Sequence, residues 1–124
     1  MSEEKKKVAF RWKYGTEEVS ITVSTYASRS RLYVGLVTYE DGFPELFCDI
    51  TKNLPEYSLG KNEAFIAHDL SDELMDFIAE NKLGKDLGYS MPSGFCRYRA
   101  VAFDLERLRE FDPEGVAEYE RIIS

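Results

Sequence analysis

Apolar and polar positions alternate through the first half of the chain. Val8, Phe10, Trp12 and Tyr14 are separated by Ala9, Arg11 and Lys13, the period of a half-buried strand. Gly15 punctuates a turn, after which Val19, Ile21 and Val23 alternate with Ser20, Thr22 and Ser24, so a hairpin joins two strands. Residues 27–30 form a polar connection. Leu32 to Tyr39 is apolar on both faces, as in a strand buried under helices. Glu40-Asp41-Gly42 predicts a hairpin turn, and Glu45 to Thr51 its partner strand, with Leu46, Cys48 and Ile50 on one side. Residues 53–62 hold Pro55, Gly60 and two asparagines and read as a loop. Ala64 to Ala67 is a short apolar strand or a buried extended segment.

The period then changes. Leu74, Phe77 and Ile78 fall at i, i+3 and i+4, which predicts a helix over 71–81 with Ser71 as N-cap and Asp72 and Glu73 in its first turn. Asn81 to Gly84 reads as its end. Residues 85–94 carry Gly, Ser and Pro and read as a loop, followed by a strand from Phe95 to Phe103 and a short helix from Asp104 to Leu108. Asp112-Pro113 opens a last helix reaching about Ile123, with Val116, Tyr119 and one of Ile122 and Ile123 turned inward. Strands first and helices later argue for an α+β fold: one mostly antiparallel sheet of about five or six strands, with two or three helices toward the C-terminal half. The chain is expected to form a single domain over 1–124, with 1–7 a disordered tail. Leu36, Phe47, Phe65, Phe77, Phe95 and Phe103 are the expected core.

Composition agrees with one such domain: 124 residues, 44% hydrophobic and 14% aromatic, suffice for a core. No stretch approaches the ~20 apolar residues of a membrane helix. The first residues lack the apolar run of a signal peptide, so a cytoplasmic location and no membrane partner are expected. Cys48 and Cys96 each sit beside a phenylalanine and read as reduced, buried thiols; a disulfide or a reactive thiol is the alternative.

Charge changes the picture more. The net charge is −7. Residues 1–62 hold nine acids and nine Lys/Arg, whereas 63–124 hold fourteen acids and seven Lys/Arg, so the second half carries the excess. Such a chain lacks the general basic surface that binds nucleic acid directly but attracts a basic partner.

Candidate chemistry is sparse. His68, the only histidine, stands beside Asp69 without the nucleophile motif of a catalytic triad. One histidine and scattered carboxylates make a poor metal site, so no metal, cofactor or catalytic residue is expected, and the chain reads as a non-enzyme. Residues 83–94 invite a phosphate-loop reading but have no Gly-Lys-Ser/Thr opening a helix. They serve as a connection or as an exposed contact surface. Arg97 and Arg99 share a strand face and are expected to pair with the acidic helices. Two acidic rows stand out, Asp72, Asp76 and Glu80, and Glu110, Glu114 and Glu118, each spaced i, i+4, i+8. On a helix each step is about 6 Å, close to the phosphate spacing of a nucleic-acid strand; Pro113 interrupts the second row. A row of this kind either mimics a nucleic-acid backbone or is a solvated face.

Several segments carry a resemblance: Leu32 to Gly42, Phe47-Cys48-Asp49-Ile50-Thr51, Asn53-Leu54-Pro55, Ala64-Phe65-Ile66, Ser93-Gly94-Phe95-Cys96-Arg97-Tyr98, Phe103-Asp104-Leu105 and Phe111-Asp112-Pro113-Glu114-Gly115-Val116. Together they resemble a family of short proteins of unassigned function carried on conjugative transposons of gut Gram-positive bacteria. The resemblance implies a mobile-element context, in which small acidic proteins often look like inhibitors of host defence nucleases of the anti-CRISPR or antirestriction type. The expected partner is thus a basic protein, a CRISPR effector nuclease or another nucleic-acid-binding protein, met by the two acidic rows. The alternative is an accessory interaction module of the conjugation machinery.

Overall fold

In a computed structural model, residues 6–40 and 42–124 are described. The chain runs β1 (Lys7–Trp12), β2 (Gly15–Thr25), β3 (Leu32–Glu40), β4 (Phe43–Asp49), β5 (Thr51–Lys52), β6 (Glu63–Ile66), α1 (Ser71–Glu80), β7 (Gly84–Ser93), β8 (Cys96–Phe103), α2 (Leu105–Phe111) and α3 (Pro113–Ile123). The α+β class is the one expected, with helices in the C-terminal half. The strands, however, form two antiparallel sheets of four, ordered β1-β2-β3-β4 and β5-β6-β8-β7.

The sheets part at Ile50. The segment read as one strand bends there and passes from the first sheet to the second, while the Ile50 amide donates to the Val34 carbonyl at 2.9 Å. Bends of this kind let one chain segment serve two sheets. A bulge in the β3–β4 ladder between Leu36 and Val37 also turns β4. Phe47 and Cys48 therefore both face the core, and Leu46, expected beside Cys48, is exposed.

The main core joins Phe10, Ile21, Leu36, Leu74, Phe77, Phe103, Leu108 and Val116. Phe47 packs at its margin, edge-on to Phe10 and Trp12. A smaller cluster of Leu54, Phe65 and Ala100 lies on the other face of the second sheet, under the 53–62 loop. Arg29 and Arg31 donate to the Pro55 and Tyr57 carbonyls and fasten that loop.

Local chemistry explains most element ends. The expected face of α1 is buried, but the helix starts at Ser71 with Leu70 at the N-cap and no side-chain cap. At its other end Leu83 donates to Ile78 and Lys82 to Ala79. That pair of bonds is a Schellman ending, with Lys82 rather than glycine in the left-handed position, φ +56°. Asp104 caps α2, accepting from Glu106 and Arg107. Asp112 caps α3, accepting from Gly115, and Val116 and Tyr119 face inward with Ile123 half-buried and Ile122 exposed.

α3 also closes the first sheet. β1 pairs with β2 only as far as Ser20. Beyond it the Val23 amide donates to Asp112 Oδ2 at 2.8 Å, and Gly115 lies so close to the Val23 carbonyl that a Cβ there would overlap it. Among the described residues no strand pairs with this edge of β2 beyond Ser20, and a helix start covers it, one of the ways proteins cover a sheet edge.

Three further expectations are corrected. Lys7, placed in a disordered tail, opens β1; residues 1–5 of that tail lie outside the described residues, as does Asp41 of the predicted turn. Residues 85–94 are mostly strand, not loop. Phe95 is fully exposed, not core. Ser93 pairs with Cys96, so Gly94 and Phe95 form a two-residue turn, with φ +61° at Gly94. Glycine at the first turn position is the II′ pattern, and it points Phe95 outward.

Candidate functional site

The first acidic row is intact. Asp72, Asp76 and Glu80 are exposed on α1, and α1 carries four acids and no cation. Its ends are not free. Asp72 pairs with Arg99 at 2.8 Å and Glu80 with Arg11 at 3.7 Å. Such exposed pairs contribute about 0–1 kcal/mol each, so they mainly orient the carboxylates. Asp76 has no ion pair among the described residues.

The second row is divided. Glu110 belongs to α2, while Glu114 and Glu118 belong to α3, and Asp112, with φ −146°, ends the helical path between them. All three are exposed. Glu110 pairs with Arg107 at 3.2 Å and Glu118 with Arg121. α1 is the stronger anionic surface.

The two arginines of β8 behave differently. Arg99 reaches the first turn of α1, as expected. Arg97 stays within its hairpin and donates to Ser90 Oγ at 3.1 Å and to the Ser90 carbonyl at 2.9 Å. The β7–β8 hairpin projects past the main core, so this end of the strand meets few helix carboxylates. Its tip is also tied to the 53–62 loop: Tyr57 donates to the Pro92 carbonyl and Ser93 to Glu56. Phe95 is thus an exposed aromatic side chain on a braced turn. Phe43 and Tyr14, at the other hairpin ends, are also exposed. Sequence periodicity counted Phe95 as core because it treats strand aromatics so; the Ser-Gly-Phe-Cys turn signature was the available signal for its exposure.

His68 is exposed and lies edge-on to Tyr98, ring centroids 6.1 Å apart. Cys48 and Cys96 are free, half-buried thiols on different sheets. Burial, reinforced by the Asp49 carboxylate, pushes the Cys48 thiol up to about 12. Burial and the hydrogen bond to Asp49, 2.6 Å from its hydroxyl, likewise raise the Tyr33 phenol. Among the described residues no group of three His, Cys, Asp or Glu is placed to hold a metal ion, and no helix is long and apolar enough to cross a membrane.

Residues 20–123 match the family described as a domain of unknown function, DUF4313. The chain belongs to the DUF4313 family. The match spans both acidic rows, the β7–β8 hairpin and the capped start of α3. No curated protein and no solved structure matches the chain.

Proposed function

We propose that this DUF4313 chain is a non-enzymatic binding protein of a mobile genetic element. It blocks a host nucleic-acid-handling defence nuclease of the anti-CRISPR type through protein–protein contact, from the cytoplasm of the cell that makes it. The observation that carries the reading is α1: four acids, no cation, and an exposed row stepping about 6 Å per four residues. Guide-dependent nucleases hold nucleic acid in positively charged channels. A rigid anionic helix is complementary to such a channel, and its field speeds encounter with a basic partner. The resemblance to transposon-borne proteins supports the defence context.

The test is a binding titration of the chain against a purified CRISPR effector nuclease at two salt concentrations. The triple substitution Asp72→Asn, Asp76→Asn, Glu80→Gln should weaken binding, and added salt should loosen the wild-type complex, since exposed charges are screened over about 10 Å at 0.1 M. Unchanged affinity with no salt dependence refutes the acidic-face mechanism. The reading then passes to an accessory module of the conjugation machinery, with the Phe95 turn as its contact.

A further inference from the structure

The second half of the chain carries the acid excess, yet its two lysines converge with one from the first half. Lys61, Lys82 and Lys85 line an open cleft of about 790 Å³ where β8 leaves the second sheet for α2. The cleft exists because Ala79 and Ala102, side chains of a single methyl, and Gly84 line it. Its volume lies within the range of small-molecule sites.

The acids at the cleft are already engaged. Asp104 caps α2, accepting from the Glu106 and Arg107 amides at 3.0 and 3.2 Å. Glu106 is held by Arg109 at 2.8 Å. None of the three lysines has an ion pair among the described residues. Three lysines thus outnumber the two acids that line the cleft, Asp104 and Glu106, and the second of these is already paired with Arg109.

Lys82 adds a second observation. It occupies the left-handed position of the Schellman ending, where glycine is the usual residue. Lysine there strains the backbone, at a residue that lines the cleft. The hydrogen bond from the Tyr119 hydroxyl to the Lys61 carbonyl fixes the opposite wall. The net charge of −7 opposes an anion only weakly at this point. Charges beyond about 10 Å are screened at 0.1 M salt, so the near charges decide, three lysines against Asp104 and the paired Glu106.

We propose that this cleft binds a small phosphate-bearing molecule, its phosphate groups held by Lys61, Lys82 and Lys85. Lysine ammonium groups are compact point charges suited to a multivalent phosphate, whereas planar carboxylates are better matched by the arginine fork. The site lies at the C-terminal end of α1 and does not depend on the nuclease-inhibitor reading.

The experiment is an amide chemical-shift titration of the full chain with inorganic pyrophosphate, and in parallel with citrate. Saturable shifts confined to residues 61–62, 82–85 and 102–106, and weaker ones with citrate, are expected. Lys61→Gln and Lys85→Gln should each weaken pyrophosphate binding roughly tenfold, the loss expected for one charge-assisted contact. Lys82→Gly should weaken it similarly while raising the melting temperature, a combination that a purely structural lysine does not give. No saturation by about 10 mM, full binding in all three variants, or citrate binding as tightly as pyrophosphate would overturn the proposal.

Discussion

Asp112 joins two parts of the chain that no local interaction connects. Its Oδ1 caps Gly115 at 3.1 Å and its Oδ2 accepts from the Val23 amide at 2.8 Å, at a site only 5% exposed. Asp112→Ala removes both bonds. The cap contributes about 1 kcal/mol. The bond to Val23 has a charged acceptor, and its loss strands a buried N–H, for roughly 1.5–3 kcal/mol more. The sum is about 2.5–4 kcal/mol. Asp104 is an internal control, since its side chain caps α2 from an exposed position with local bonds only, to Glu106 and Arg107. Asp104→Ala should cost about 1 kcal/mol. Urea unfolding of wild type and both variants measures the difference. In thermal melts a chain of this size moves roughly 4 °C per kcal/mol, so the Asp112 variant should melt at least twice as far below wild type. Asp112→Asn keeps one accepting oxygen and should fall between. Equal losses in Asp112→Ala and Asp104→Ala would refute the idea that α3 seals the sheet edge.

Gly115→Ala should destabilise, although alanine is normally favoured over glycine inside a helix by about 1 kcal/mol, because the new Cβ overlaps the Val23 carbonyl; a raised melting temperature would contradict the close approach. Phe95→Ser should leave the melting temperature within about 2 °C of wild type, whereas Phe103→Ala should cost about 3–5 kcal/mol, both read by thermal unfolding. The Cys48 thiol, pushed up to about 12, is thiolate in about one molecule in 10⁴ at pH 8. Its alkylation should therefore run at least ~100-fold slower in the folded chain than in urea. The same shift stabilises the fold fully below the unfolded thiol value of about 8.5 and is lost as pH rises toward 12, so stability should fall across that interval in alkaline unfolding curves, less so in Cys48→Ala.

Much of the fold was legible because single-element signals are local. Val19, Ile21 and Val23, or Leu74, Phe77 and Ile78, announce their faces through period alone, and Asp112-Pro113 announces a helix start. What periodicity cannot carry is which strand pairs with which. Glu45 to Thr51 reads as one run, and only the tertiary pairing of Thr51 with Ile66 shows that it serves two sheets. β7 was hidden for another reason. It is an edge strand, so Pro92 needs no partner for an amide it lacks, and Gly88 sits in an irregularity between Asp86 and Ser90. Its composition therefore looks like a loop. The acidic rows were visible as spacing, and the pairing of Arg99 with an acidic helix was expected, but Arg11, distant in sequence from Glu80, was not readable as the cation at the other end of α1. The lysine cleft left no sequence pattern, since Lys61 is brought to Lys82 and Lys85 only by the pairing of β6, β8 and β7.

The sealed edge of β2 also has a history in time. Val23 precedes Asp112 by 89 residues. At translation rates of about 5–20 residues per second, roughly 4–18 s separate the synthesis of the strand from that of its cover. During that interval the edge of β2 beyond Ser20 lacks the cover that α3 gives it, and an uncovered edge is the kind of surface on which strands of different chains join. A ribosome slowed before residue 112 lengthens the exposure, and neighbouring nascent chains on one message are then the partners closest at hand.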